Sequence, residues 1–320
     1  MARGPLFQND YRPQFSGHET FPLRYGWLKK AYDAVAVTEN NSENKSVFLS
    51  DDAIARFGVG KNMVASMRHW GSAVSILNES QGSPVIQTTE LGRMLFSPDG
   101  LDPYMEHPAT LWLMHWHLAA RPNKTTWFWV FNHYSALTFE REQLVKGIMR
   151  LAKDVKWARV ATVTVKNDVA CFIRTYVPQP PSDKAGNDDA LESPLTELGL
   201  IKPIGKRDGF RFVLGPKSTL SDGVFVYALI DFWSRYSRKA ATLSFEAIAH
   251  EPGGLGRVFL FDENDLVDRL AGLDDATKGL LRWSETAGLK QVVRDSNMNF
   301  ETALSYIKAD YAFINQSVTC

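Results

Sequence analysis

One stretch, Phe48–Leu77, limits the possible folds of this chain more than any other, because it predicts two helices joined by a glycine turn. Ser50 is a favourable N-cap for a first helix over residues 51–57. Gly58–Gly60 then ends that helix, and a second helix is predicted from Lys61 to Trp70. This order is typical of the helix-turn-helix motif, whose second helix enters the major groove of DNA.

The second helix combines an apolar stripe with polar side chains that suit DNA. The stripe has five members: Val64, Met67, Ala73, Val74 and Leu77. Residues of the types that contact phosphates and base edges fall mainly outside it: Lys61, Asn62, Ser66, Arg68 and His69. We assign three basic residues of the preceding segment to the same DNA-binding surface: Arg24, Lys29 and Lys30.

A short β-wing is predicted after the second helix. Residues 85–89 form a β-branched run that predicts a strand, and residues 90–96 predict a short helix or a returning strand. With a first helix over Phe21–Val35, this pattern indicates an N-terminal winged-helix DNA-binding domain over residues 1–100. The alternative is an ordinary helical hairpin without a DNA-binding role.

The remaining chain predicts one aromatic region, one linker and a second helical unit. Residues 101–177 are predicted to be helical, and their many aromatic side chains predict a buried aromatic core. Residues 178–190 have the Pro, Gly, Ser and Asp content of a linker. Residues 191–320 form the C-terminal domain. We therefore expect a mainly α fold with small β-wings, of the α+β class, in which the aromatic region joins two winged-helix-like units.

A short internal sequence repeat suggests that the two units are related. Residues 243–249 repeat the pattern of residues 49–55, and each copy is followed by a glycine turn and a basic residue. The second copy is followed by acids that would repel phosphate: Asp262, Glu263, Asp265 and Asp268. We expect the C-terminal unit to serve in protein interaction or assembly.

The overall charge neither favours nor excludes nucleic acid, because 36 basic residues balance 36 acidic ones. The segment from Arg121 to Arg174 is nevertheless rich in lysine and arginine, which suits a DNA-binding face. Cys171 and Cys320 provide no disulfide framework or zinc cluster. The sequence has no apolar run of the ~18 residues that a membrane span needs, and we expect a bacterial cytoplasmic protein.

Sequence motifs for catalysis are scarce. The chain has no P-loop, no Gly-x-Ser-x-Gly, no HExxH and no paired CxxC. The pair His18-Glu19 follows a glycine and precedes Pro22, so His18 is a candidate general base or phosphate contact that Glu19 would orient. The alternative is a structural helix cap. The residues identify no metal ligands.

Residues 15–30, FSGHETFPLRYGWLKK, and residues 58–70, GVGKNMVASMRHW, resemble the SspB family. The resemblance implies the DNA-nicking component of a system that installs single-stranded phosphorothioate in DNA during antiphage defence. It further implies double-stranded DNA as substrate and Mg²⁺ or another divalent cation as cofactor. The implied partner proteins are a cysteine desulfurase, an ATPase and an ATP-pyrophosphatase-like enzyme.

Three hypotheses follow. The first is a metal-dependent DNA nickase that contacts DNA through its winged helix. The second is a non-catalytic winged-helix regulator or adaptor. The third is a helical scaffold for protein interaction.

Overall fold

A computed structural model describes residues 4–39, 47–79, 85–178, 192–205, 208–286 and 288–312. These residues form mainly helices, with three small antiparallel sheets. The α+β class is therefore confirmed at this level. Among the described helices, none is long and apolar enough to cross a membrane.

The elements of the N-terminal region are α1 (Trp27–Thr38), α2 (Ala53–Phe57), α3 (Lys61–Ala73), β1 (Leu77–Glu79), β2 (Ile86–Thr88) and α4 (Glu90–Phe96). They follow the predicted order except at β1, because Leu77, expected on the apolar stripe of the second helix, begins a strand. Gly58 ends α2 with a left-handed φ of 67°, which glycine adopts without a Cβ clash. β1 and β2 form an antiparallel hairpin. Residues 90–96 are a helix because the Thr89 hydroxyl caps the Gly92 N–H at 2.9 Å.

The predicted start of the first helix is wrong, because α1 begins at Trp27 and not at Phe21. The Phe21 carbonyl accepts a hydrogen bond from Trp70 Nε1 at 3.1 Å and contacts the Cys171 thiol. Gly26 then precedes α1 with a φ of 75°. Tertiary bonds therefore hold residues 21–26 in a non-helical path.

The aromatic region forms most of the core through α5 (Pro108–Ala119), α6 (Thr125–Asn132), β3 (Thr138–Glu140), α7 (Arg141–Asp154) and α8 (Thr162–Tyr176). Every residue of α6 is buried, and its Trp127 packs edge-on against Trp70 of α3. The predicted aromatic core is confirmed. Residues 160–161 lead into α8, which begins at Thr162.

The C-terminal region contains the remaining elements: β4 (Ile201–Ile204), β5 (Gly209–Phe212), α9 (Asp222–Tyr236), β6 (Thr242–Ser244), α10 (Phe245–His250), α11 (Leu255–Val258), α12 (Glu263–Ala271), α13 (Leu273–Thr277), β7 (Leu281–Thr286), β8 (Leu289–Arg294) and α14 (Phe300–Ala312). A 3₁₀ helix, Pro194–Leu198, precedes β4. β8 lies between β6 and β7, and α14 packs along α9.

One sheet connects the sequence on both sides of the predicted linker. β3 pairs with β5, with Phe139 opposite Phe210, and β5 also pairs with β4. The predicted linker lies outside the described residues from position 179 onward. The aromatic region and the C-terminal region therefore share both a sheet and a continuous core.

The two copies of the internal sequence repeat form different secondary-structure elements. Residues 49–55 form a turn and the start of α2, whereas residues 243–249 run from β6 into α10. The second predicted glycine turn contains the short helix α11. A winged-helix identity for either unit remains a prediction.

Candidate nucleic-acid interface

The first turn of α3 presents two of the predicted DNA contacts to solvent. Lys61 and Asn62 are both exposed, and Gly60 precedes them in an extended conformation. A helix N-terminus carries a partial positive charge and free N–H groups, so anions are favoured there. These two residues are therefore placed where a DNA phosphate could reach them.

Three further predicted contacts lie deeper in the structure. Ser66, expected outside the apolar stripe, is fully buried because α3 packs on several sides. Arg68 donates to both carboxylate oxygens of Glu79, at 3.0 and 2.8 Å. Burial raises the pKa of Glu79, but its bonds from Arg68 and Ser72 dominate and lower that pKa overall. Arg68 thus links α3 to the β1–β2 hairpin.

His69 lies in an almost closed environment. Its Nδ1 is 3.5 Å from Lys124 Nζ, and its Nε2 is buried without a hydrogen-bond partner among the described residues. Burial, together with the charge of Lys124, holds the pKa of His69 well below its ordinary value. His69 is therefore neutral at pH 7, with Lys124 beside it.

The basic residues assigned from the preceding segment lie in three different environments. Arg24 is buried, with its guanidinium 5.4 Å from the ring centroids of both Phe21 and Trp27. Lys29 pairs with Asp33 at 2.5 Å on α1. Lys30 is exposed and contacts the Phe57 carbonyl at 3.3 Å. Lys30 is thus the one of these three that presents an exposed cation.

His18 is buried and fully engaged. Its Nδ1 accepts a bond from the Thr20 N–H at 3.0 Å, so Nε2 carries the proton in the neutral ring and donates to Asp168 Oδ1 at 2.8 Å. Both ring nitrogens therefore have protein partners. Glu19 is exposed, and both ring nitrogens of His18 are bound elsewhere, so the geometry supports a structural role for His18.

The turn over residues 16–20 is backbone-strained and attached to α8. Ser16, Gly17, Glu19 and Thr20 all have positive φ, which is rare for residues other than glycine. The Ser16 N–H donates to Asp168 at 2.9 Å, and Arg174 donates to the Thr20 carbonyl. A Cβ on Gly17 would lie 2.7 Å from His69 Nδ1. The turn thus connects α8 to α3.

A polar cleft of about 500 Å³ adjoins this cluster, and we call it the Lys124 cleft. Its wall includes Lys124, Glu79 and six neutral polar residues: Ser72, Ser75, Asn78, Thr88, Thr89 and Asn123. Lys124 is mostly buried, which lowers its pKa, and no carboxylate of a described residue lies within 4 Å of its Nζ. The cleft can therefore accept a hydrogen-bonding anionic group beside Lys124.

Sequence reasoning missed Asp168, Lys124 and Glu79. Asp168 had a detectable signal, because it lies on the inner face of α8 beside Val165, Val169 and Phe172. An acid on an apolar stripe implies a buried partner. Lys124 and Glu79 carried no comparable signal.

The described residues do not assemble a magnesium site. They bring no three His, Cys, Asp or Glu side chains together at metal-binding distances. Glu79 is occupied by Arg68 and Ser72, and Asp168 is buried with one oxygen bound to His18.

Comparison with known proteins gives a family match and two similar structures. The family described as "Protein of unknown function (DUF4007)" matches residues 15–311. A magnesium ion-bound SspB crystal structure is similar with a TM-score of 0.81 and 31% identity, covering 93% of this chain and 88% of that one. A second SspB crystal structure gives the same TM-score and coverage at 30% identity. No curated protein matches significantly.

Proposed function

The chain belongs to the SspB family, and on this premise we propose that it is the DNA-binding and DNA-nicking component of a phosphorothioation system. The observation that carries the proposal is the similarity to SspB over 93% of the chain. The proposed partner proteins are a cysteine desulfurase, an ATPase and an ATP-pyrophosphatase-like enzyme. Membership of this family places the chain in the Ssp context, and binding and nicking are the proposed steps.

The geometry of α3 supports the DNA-binding part. Lys61 and Asn62 begin the second helix of a helix–turn–helix arrangement that a β-hairpin follows. Lys30 supplies a further exposed cation on α1. In this proposal Arg68 and His69 do not contact DNA. They hold α3 in place through Glu79 and Lys124, and Ser66 packs in the core.

The nicking part is less closely tied to particular residues. His18 and Glu19 remain the sequence-based candidates, but the bonds to Asp168 and Thr20 leave His18 no free ring nitrogen. The Lys124 cleft offers a buried cation beside neutral His69, which suits binding of a phosphate group. The ion of the magnesium-bound SspB structure makes Mg²⁺ the first cation to test.

Plasmid nicking tests the proposal. Supercoiled DNA would be incubated with the full chain and Mg²⁺, with EDTA as control, while binding is measured under the same conditions. We expect open-circular product that EDTA suppresses. The variant Lys61→Ala/Asn62→Ala should weaken binding by about fivefold or more, because phosphate contacts dominate affinity. Lys29→Ala is the matched control, since Lys29 already pairs with Asp33.

The same experiment discriminates between the alternatives. Binding without open-circular product would favour a non-catalytic regulator or adaptor. Absence of binding would favour a protein-interaction scaffold.

A further inference from the structure

Five exposed cations lie on one face of α7 and in the turn that follows it, and we call them the basic corner: Lys146, Arg150, Lys153, Lys156 and Arg159. The first three have spacings of four and three residues, so they share a helix face and extend over about 10 Å of its axis. Between residues 143 and 161 the sequence contains one acid, Asp154. The corner is therefore strongly positive although the whole chain is neutral.

These cations are largely available to a partner. Arg150 lies 3.8 Å from Asp154, and both side chains are well exposed, so solvent weakens that pair. The other four make no ion pair with a carboxylate of a described residue. A polyanion would therefore meet charges that the protein itself does not neutralise.

The end of α7 holds Lys156 in a conformation that usually belongs to glycine. The Trp157 N–H donates to the Ala152 carbonyl at 2.9 Å, and the Lys156 N–H donates to the Lys153 carbonyl at 3.2 Å. These are the two bonds of a Schellman motif, and Lys156 occupies its left-handed position with a φ of 60°. Arg159, three residues later, also has a φ of 60°.

The turn is anchored from within the protein. Trp157 lies between the two left-handed cations in sequence and packs on Tyr11 and Phe15, at centroid distances of 5.5 and 6.4 Å. The backbone carrying Lys156 and Arg159 is thus fixed by an aromatic contact. Non-glycine residues in this region of φ/ψ space cost free energy, so the contacts of Trp157 help to hold the turn in this conformation.

We propose that the basic corner binds the phosphate backbone of double-stranded DNA as a second contact surface, separate from α3. The partner follows from charge: duplex DNA carries one negative charge per about 1.7 Å of its axis, so several phosphates can face a surface of this length. This inference rests on the proposed DNA-binding function and adds the surface that supplies its sequence-independent affinity.

The test is salt-dependent binding of a labelled 30-base-pair duplex by the full chain. Lys153→Gln/Lys156→Gln/Arg159→Gln should weaken affinity at least tenfold at 100 mM salt. The slope of log K against log[salt] should become shallower by about 2–3, because each lost phosphate contact removes ~0.9. The matched control removes three exposed cations of the C-terminal region: Arg238→Gln/Lys239→Gln/Lys278→Gln.

A pair of glycine variants separates function from folding. Lys156→Gly and Lys278→Gly each remove an exposed lysine from a left-handed position at a helix end, with φ of 60° and 51°. Glycine relieves the strain, so both variants should keep or raise the Tm. Only Lys156→Gly should weaken DNA binding, by about threefold or more.

The outcomes distinguish this inference from the proposed function. If DNA binding is present and sensitive to Lys61→Ala, but equal in the corner and control variants, the inference is overturned while the function stands. If the chain binds no duplex at all, both are overturned. A loss of affinity without a change in salt slope would also contradict phosphate contact at the corner.

Discussion

At the scale of single residues, the Asp168 carboxylate connects segments 150 positions apart. One oxygen accepts bonds from the Ser16 N–H at 2.9 Å and from His18 Nε2 at 2.8 Å, and both side chains of the His18–Asp168 pair are 2% exposed. A buried donor that loses its acceptor costs free energy, because water cannot replace the bond. Asp168 therefore stabilises the turn over residues 16–20.

We expect Asp168→Ala to lower the free energy of unfolding by about 2–4 kcal/mol, since the buried His18 Nε2–H and the partly buried Ser16 N–H lose their acceptor. Urea denaturation at pH 7.5 measures the loss. Asp154→Ala, which removes an exposed acid from α7, should cost no more than about 0.5 kcal/mol. Asp168→Asn retains an acceptor oxygen and should be the milder change. Equal losses for Asp168→Ala and Asp154→Ala would show that the buried pair contributes little.

At the scale of elements, the turn over residues 16–20 connects α8 to α3. Three of its bonds reach α8 residues: two end on Asp168, and Arg174 supplies the third. Gly17 contacts His69, and His69 in turn lies beside Lys124 at the start of α6. The orientation of the predicted recognition helix therefore depends on a segment that lies outside the predicted helix-turn-helix.

Gly17→Ala tests this dependence, with Gly58→Ala as the matched control. Both glycines have positive φ, of 89° and 67°, but an added Cβ meets His69 only at position 17. We expect Gly58→Ala to cost about 1 kcal/mol from backbone strain, and Gly17→Ala to cost about 1–3 kcal/mol more from overpacking. Thermal unfolding measures both. Equal shifts in Tm would mean that His69 moves aside freely.

At the scale of the whole molecule, one continuous core joins regions that the sequence suggested were separate. β3 and β5 come from opposite sides of the predicted linker, and Phe139 of β3 packs on Phe210 and Phe212.

Histidines are distributed through this core. His115 bonds to the Tyr176 hydroxyl and to the Val258 carbonyl, and burial lowers its pKa to about 4.

Acid should therefore destabilise the fold before the carboxylates titrate. The folded pKa of His115 lies below the unfolded value, so the unfolded state binds the proton first. Stability is fully present above about pH 6.5 and is lost as pH falls towards 4. His115 alone should contribute a loss of about 1.4 kcal/mol at pH 5.5. Burial also lowers the pKa values of His69, His117 and His133, which adds to the loss.

Urea denaturation at pH 7.5 and 5.5 provides the measurement, with His115→Gln as the test variant and His250→Gln, at a half-exposed position, as control. The His115→Gln protein should be less stable at pH 7.5 and should lose less stability on acidification. If its pH dependence matched that of the parent chain, His115 would not be the residue responsible.

The sequence by itself determined the local elements. Gly58 ended α2, the 3.6-residue periodicity located α3, and the aromatic content of residues 101–177 indicated a buried core, because these signals act within a few residues. The resemblance of residues 15–30 and 58–70 to SspB likewise required only the order of residues. The family is confirmed by the similar structures.

Only the tertiary structure decided the surroundings of each polar side chain. Arg68 and His69 had the residue types of DNA contacts, yet Glu79 and Lys124 hold them from other elements, because pairing depends on distances that periodicity does not encode. The turn at His18 likewise depends on Asp168, which lies 150 residues away. Non-local contacts of this kind exist only after the chain has folded, and they determine which cations remain exposed at the surface.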